Sequence, residues 1–258
     1  MGGETSPPAA RSAAGGSFPA GKMKISLLHH TPNPDESVAL AARVCYAPGD
    51  LEELTHSVMT AARRREFLAM LLRRGHHTPL EHVSFTFGVE GVSRACSHQL
   101  VRHRIASFSQ QSQRYVEMRD ASRDSFVVPP GIAADPAAEK LFREQMQAAR
   151  SGYAALRALG VAREDARYVL PSATETALVV TMNARALLNL FALRLCRRAQ
   201  WEIRTVAERM LELARQAAPE IFAFAGPGCA HGECPEGKSG CGQPYPAAAM
   251  PAATAAAV

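Results

Sequence analysis

At 258 residues, 47% of them hydrophobic and 21% charged, the chain has the balance of an ordinary globular domain, which excludes a wholly disordered, collagen-like or coiled-coil protein. Its net charge of +5 rests on 29 basic residues, all but four of them Arg. That suits an anionic partner such as a nucleotide, a nucleic acid or a phosphorylated metabolite, although GC-rich coding would give the same composition.

Residues 1–22 are mostly Gly, Pro, Ala and Ser with too little apolar surface to offset ordering, and they read as a disordered tail. They contain no apolar signal core, and no apolar run in the chain approaches the roughly 18 residues that cross a bilayer. Cys45, Cys96 and Cys196 are scattered through apolar-periodic segments, as buried reduced thiols usually are, so the expected compartment is the cytoplasm. Lys24–Leu28 reads as a short strand and Glu36–Cys45 as a helix. The apolar stripe from Leu54 to Leu72 predicts one helix over Leu51–Arg74, stopped by Gly75. Val83, Phe85, Phe87 and Val89 alternate with polar neighbours, the mark of a strand buried on one face in an antiparallel sheet. Val92–His103 returns to helical spacing. Gln113–Met118 and Ser125–Val128 read as strands, Ala134–Leu159 as a long helix, and Arg163–Val169 as a short one stopped by Pro171. Thr176–Thr181 is β-rich, and helices over Asn183–Arg198 and Ala199–Ala217 follow. Without a regular βαβ alternation the fold class is α+β, a mixed or antiparallel sheet flanked by long helices. The folded domain is expected over 23–225, with a Cys/Gly and then Ala/Pro-rich tail over 226–258.

The chemistry concentrates in Gln99-Leu-Val-Arg-His-Arg-Ile-Ala-Ser-Phe-Ser-Gln-Gln-Ser-Gln-Arg-Tyr115. On a continuous helix, Gln99, Arg102 and His103 share one face. Arg102, Arg104 and Arg114, with Ser107, Ser109 and Ser112 between them, have the makings of a phosphate cradle: charge from guanidinium, direction from hydroxyl and backbone N–H. A solvated basic turn has the same composition. Two further segments add to the first reading. His76-His77-Thr78-Pro79-Leu80-Glu81-His82 crowds polar groups at the mouth of the Phe-rich strand. Asn183, Arg185, Asn189, Arg194 and Arg198 recur inside core-like helices, where each Arg needs a partner.

Arg102-His103-Arg104 followed after seven residues by Ser112 resembles the signature of the flavin-dependent thymidylate synthases. His76-x-Thr78-Pro79-x-Glu81-His82, Glu164-x-x-Arg167 with Leu170-Pro171, Asn183-Ala-Arg185 with Asn189 and Arg194, and Ala199-Gln-Trp-Glu-Ile203 resemble further blocks of that family, in the same order. The resemblance covers residues 23–225. It implies a homotetramer with active sites shared between subunits, FAD as cofactor, and dUMP stacked on the flavin. It places His76, Thr78, Glu81, Arg102, His103, Arg104, Ile105, Asn183, Arg185 and Asn189 around FAD. It places Gln99, Gln110, Gln111, Ser112, Gln113, Arg114, Arg167 and Arg194 around dUMP, with Arg102 shared between the two sets. Gln110 stands where some members carry Glu, and Arg198 where some carry His.

The implied reaction takes a methylene from 5,10-methylenetetrahydrofolate and a hydride from reduced FAD, with NADPH as the reductant, and converts dUMP to dTMP. Arg194 would polarise the uracil and His76 would sit near the flavin and the methylene donor, making these two the catalytic candidates. Ser112, lacking an adjacent base in sequence, is assigned to dUMP hydrogen bonding rather than nucleophilic attack. The chain has no G-x-G-x-x-G, so no Rossmann cradle is expected. The alternative reading is a basic nucleotide- or nucleic-acid-binding module without catalysis. The spacing of Cys229, Cys234 and Cys241 is loose for zinc, so no metal is assigned and the tail reads as flexible or redox-sensitive.

Overall fold

The computed structural model describes residues 23–117 and 125–245; the expected N-terminal tail, Met118 and the last thirteen residues lie outside them. Strand β1 (Lys24–His30) leads into helix α1 (Pro34–Val44), then α2 (Leu51–His56) and α3 (Ala61–Arg73). A 3-10 turn (Thr78–His82) precedes β2 (Ser84–Ser93), α4 (Arg94–Leu100) and β3 (Ser107–Gln110). Helices α5 (Pro130–Ala133), α6 (Pro136–Ala158) and α7 (Arg163–Ala166) come before β4 (Glu175–Asn183), α8 (Ala184–Arg194) and α9 (Trp201–Ala217). Among the described residues no helix is long and apolar enough to cross a membrane.

The described chain falls into two units, one of residues 23–112 and 175–245, the other holding 113–117 and 125–174. The first contains a four-stranded sheet in the order β1-β2-β4-β3, antiparallel throughout. This is the α+β architecture expected from the lack of a regular βαβ alternation, and the antiparallel pairing expected from the period-two pattern of β2. Phe85, Phe87 and Val89 are fully buried and meet Leu178, Val180 and Met182 of β4, while Ser84 and Glu90 face outward. On the apolar face lie Leu187, Leu190 and Phe191 of α8 and Ile203, Val206 and Met210 of α9. Phe222 fills the remaining gap, edge-on to Phe85 at 5.3 Å and to Phe191 at 5.8 Å between ring centres. Gly91, at φ 69°, turns the backbone where the β2–β4 register shifts between Val89 and Val92.

Several boundaries differ from the sequence expectation. The helix expected over Leu51–Arg74 is two helices, because Thr60 leaves the α region and caps α3 by accepting the Arg63 N–H at 3.4 Å; Gly75, at φ 72°, ends it as expected. The helix expected over Val92–His103 is only Arg94–Leu100, since Val92 and Ser93 still pair with β4 and Ser93 caps α4. Likewise the helix expected from Asn183 to Arg198 stops at Arg194. Residues 113–116 form a turn rather than a strand, with Tyr115 75% exposed; Met118 is outside the described residues. The strand expected at Ser125–Val128 is a single bridge, Phe126 to Thr174. Strand β3 was not anticipated: its four residues are too few for alternation to register, and its pairing with β4 defines it. Cys45 is exposed at the end of α1, not buried.

The second unit is built on α6, whose Asp135 cap accepts the N–H groups of Ala137 and Ala138 at 2.8 and 3.4 Å. Glu117 lies between Arg157 at 3.6 Å and Arg163 at 3.5 Å.

Candidate active site

In the first unit a cavity of about 1100 Å³ opens between the end of α3, the 3-10 turn, the loop after α4, and α8. It is slightly larger than the ~300–1,000 Å³ usual for small-molecule sites. The fold brings its walls together through three local signals. Pro79, second in the 3-10 turn, fixes its start and sets Glu81 at the rim. Leu100 ends α4, so Arg102, His103, Arg104 and Ile105 leave the helix and run along the cavity. Asn183 caps α8, its Oδ1 accepting the Ala186 N–H at 2.8 Å, which aims the first turn of α8 at the same space.

Of the residues expected around the flavin, Glu81, Arg102, His103, Arg104, Ile105, Asn183, Arg185 and Asn189 all line this cavity, and Arg194 joins them from the last turn of α8. His76 and Thr78 do not. The His76 ring instead meets the Tyr46 hydroxyl, at 3.4 Å from Nδ1, while Arg73 and His77 line the wall beside it. Arg185 Nη1 donates to Glu81 at 2.5 Å, a half-exposed pair. The guanidiniums of Arg102 and Arg104 carry no carboxylate partner among the described residues. With Glu81 committed to Arg185, the cavity is a cationic enclosure. Leu72, Leu80, Leu188, Ala192 and Leu193 give it an apolar floor, and Ile105, 75% exposed, projects at its edge.

Sequence reasoning missed part of the wall. Phe224, Ala225 and Gly226 line the cavity, as does His231 from the segment read as a tail. None belongs to a motif, and His231 is contiguous in sequence with cysteines rather than with the cationic residues it joins in space.

A part-buried polar contact couples α8 to the loop after α4. Arg194 Nε donates to His103 Nε2 at 3.0 Å, and Arg194 Nη2 to the Gln99 carbonyl at 3.5 Å. Burial pushes the His103 pKa below its usual value, and the Arg194 charge pushes it further. The helical face expected to unite Gln99, Arg102 and His103 is therefore not formed: Gln99 stays in α4 and donates through Nε2 to Gln200 at 3.5 Å.

The other residues expected around dUMP divide between the units. Gln110 ends β3 and donates both to Ser97 Oγ at 2.9 Å and to Thr176 Oγ1 at 3.1 Å, so its carbonyl oxygen is the atom left for a ligand. The Gln111 N–H bonds to the Ala177 carbonyl at 2.9 Å, continuing the β3 edge towards Ser112. Gln113, Arg114 and Arg167 belong to the second unit. There Arg114 pairs with Glu164 at 2.8 Å, and Arg167 Nε donates to the Glu164 carbonyl at 3.1 Å, which gathers two guanidiniums around one residue.

A second cavity, of about 460 Å³, is lined by Cys196, Cys229, Cys234 and Cys241 together with Arg197 and Arg198. Arg198 pairs with Glu236 at 2.6 Å, Arg197 donates to Gln243, and the Tyr245 N–H donates to Cys229 Sγ at 3.3 Å. Residues 226–245 are thus folded onto the end of α8. All six thiols are free, and among the described residues no three His, Cys, Asp or Glu side chains are arranged to hold a metal.

Comparison with known proteins places this architecture in context. The profile of the family described as thymidylate synthase complementing protein matches residues 26–220. A flavin-dependent thymidylate synthase of Geobacter sulfurreducens is 54% identical over 86% of this chain and 94% of its own length. The proteins of that name from Clostridium tetani and Nitratidesulfovibrio vulgaris are 45% and 48% identical over the same shares. Among solved structures, the UMP/dUMP methylase PolB from Streptomyces cacaoi, bound with 5-Br dUMP, superimposes with a TM-score of 0.65. It shares 30% identity, covering 78% of this chain and 93% of that one.

Proposed function

The chain belongs to the flavin-dependent thymidylate synthase family, and from that premise we propose that it methylates dUMP at C5 with FAD as its flavin, 5,10-methylenetetrahydrofolate as carbon donor and NADPH as reductant. The observation that supports the site assignment is the cationic cavity of about 1100 Å³, where nearly all the residues expected around the flavin meet. Unpaired guanidiniums, the first turn of a capped helix and an apolar floor are the donor set that a dinucleotide with two phosphates and a flat ring system requires.

Arg102 and Arg104 neutralise the cofactor phosphates, Asn183 and Asn189 supply hydrogen bonds, and Ile105 with Leu188 covers the ring. Arg185, braced by Glu81, closes the rim. His76 is proposed at the methylene donor's side and Thr78 beside the flavin, although neither lines the cavity as it stands. The bound flavin supplies the hydride that brings the transferred carbon to the methyl level, and NADPH restores it.

The remaining work belongs to side chains. Arg194 spends Nε on His103 and one Nη2 hydrogen on Gln99, which leaves donors to stabilise negative charge developing on the uracil carbonyls. Arg114 and Arg167 bind the dUMP phosphate, and Gln99, Gln110, Gln111, Ser112 and Gln113 bond to the nucleoside. Residues drawn from more than one chain of a homotetramer would complete each site, in the cytoplasm. The catalytic domain is proposed over 23–225. The test is release of tritium from [5-³H]dUMP: it is expected only when flavin, 5,10-methylenetetrahydrofolate and NADPH are all present, and activity indifferent to flavin would reject the reading.

A further inference from the structure

We propose that His103 is a positioning residue for Arg194 and works as the neutral tautomer that carries its proton on Nδ1. The inference rests on the assignment of Arg194 to dUMP.

A guanidinium has only donors, so the 3.0 Å contact from Arg194 Nε requires a lone pair on His103 Nε2. The ring proton is then on Nδ1, and this nitrogen has no partner among the described residues. Burial favours the same neutral form, since His103 is only 8% exposed. The chain path makes the contact possible. With α4 ended at Leu100, the Arg102 N–H reaches the Gln99 carbonyl at 3.3 Å and the His103 N–H reaches the Leu100 carbonyl at 3.1 Å. This tight turn directs the imidazole to α8 instead of along α4. The Gln99 carbonyl, on the same turn, then receives Arg194 Nη2 at 3.5 Å. One turn therefore supplies two acceptors to one guanidinium.

No carboxylate takes part. A carboxylate in place of the imidazole would hold Arg194 more strongly but would neutralise the charge that the uracil needs. A neutral imidazole fixes the direction and leaves the charge whole. Arg194 faces His103 from α8, and its charge opposes protonation of the ring. Holding a long flexible side chain before the substrate arrives spares the ordering cost at binding. The sequence assigned His103 to the flavin; with Nε2 committed to Arg194, only Nδ1–H could reach a ligand.

The test is a double-mutant cycle on the flavin-loaded protein. His103→Ala is expected to lower kcat/KM for dUMP by about a hundredfold, the scale of a misplacement of about 1 Å, when assayed at saturating flavin on protein matched to the wild type in circular dichroism. His103→Gln, which keeps an acceptor for Arg194, is expected to recover at least a tenfold share of that loss. In an Arg194→Ala background His103→Ala should cost less than about twofold. Multiplicative losses, or flavin loss in His103→Ala that His103→Gln does not repair, would overturn the inference alone. Wild-type activity in Arg194→Ala would overturn it together with the assignment of Arg194.

Discussion

Glu202 is 1% exposed and accepts both the N–H of Ser93 at 2.7 Å and its hydroxyl at 2.6 Å, while the Ser93 oxygen caps α4. Burial raises its pKa and the two Ser93 bonds pull it down, with a net rise above 4.5. A carboxyl whose folded pKa is raised contributes most below its unfolded value, and that contribution is lost as pH climbs through the folded pKa. The melting temperature of the wild type relative to Glu202→Gln should therefore decline as pH rises from about 4.5 towards 7. A difference constant over that range in calorimetry would contradict it. Burial, and then the Glu202 charge, also drives the Cys96 thiol far up, so it is no nucleophile at neutral pH. Cys96→Ala should keep dTMP formation within about tenfold, roughly 1.4 kcal/mol of barrier, and alkylating reagents should label exposed Cys45 but not Cys96 in the folded protein. Complete inactivation with flavin still bound would contradict this account. At this scale the sequence carries residue identity but not pairing: no periodicity reveals that Ser93 meets Glu202, or that His103 meets Arg194.

Elements with many residues of one period are legible. Strand β2 and helices α6 and α9 fall within a few residues of expectation, because each repeats its apolar face over two or more turns or pleats. Strand β3 and the α2–α3 break depend on a partner strand and on the Thr60 cap, which are tertiary or single-residue facts. Ties between elements are hidden for the same reason. Asp35 of α1, 7% exposed, accepts the N–H groups of Glu220 at 3.1 Å and Ile221 at 3.0 Å. Arg64 of α3 grips the Glu220 carboxylate at 2.6 and 2.9 Å. The chain beyond α9 is thus pinned to two N-terminal helices. Asp35→Ala strands two buried donors and should cost about 2–4 kcal/mol in urea unfolding, and Asp35→Asn should recover only part of it, because one amide oxygen replaces two separate acceptors and its NH2 faces the second N–H. A loss under about 0.5 kcal/mol, the size of a surface change, would show that the tie carries no stability.

For the whole molecule, the motif resemblance already grouped most of the polar residues that line the cavity, because motifs preserve chemistry at fixed spacing. It did not reach Arg73, His77, Phe224 or His231, whose place in the wall follows from the path of the chain after α3 and α9. A homotetramer is expected by light scattering, and an active monomer would contradict the proposal of shared sites. The central claim is that this cavity holds the flavin, while Arg167, in the other unit, serves dUMP. It is tested most directly by the flavin absorbance per chain of Arg102→Ala and Arg167→Ala, purified alike and matched in circular dichroism. Loss of one charge-assisted contact, about 2 kcal/mol, predicts roughly thirtyfold weaker flavin binding in Arg102→Ala and therefore a nearly colourless protein, with Arg167→Ala as yellow as the wild type. A fully yellow Arg102→Ala, or equal flavin loss in both, would contradict the account.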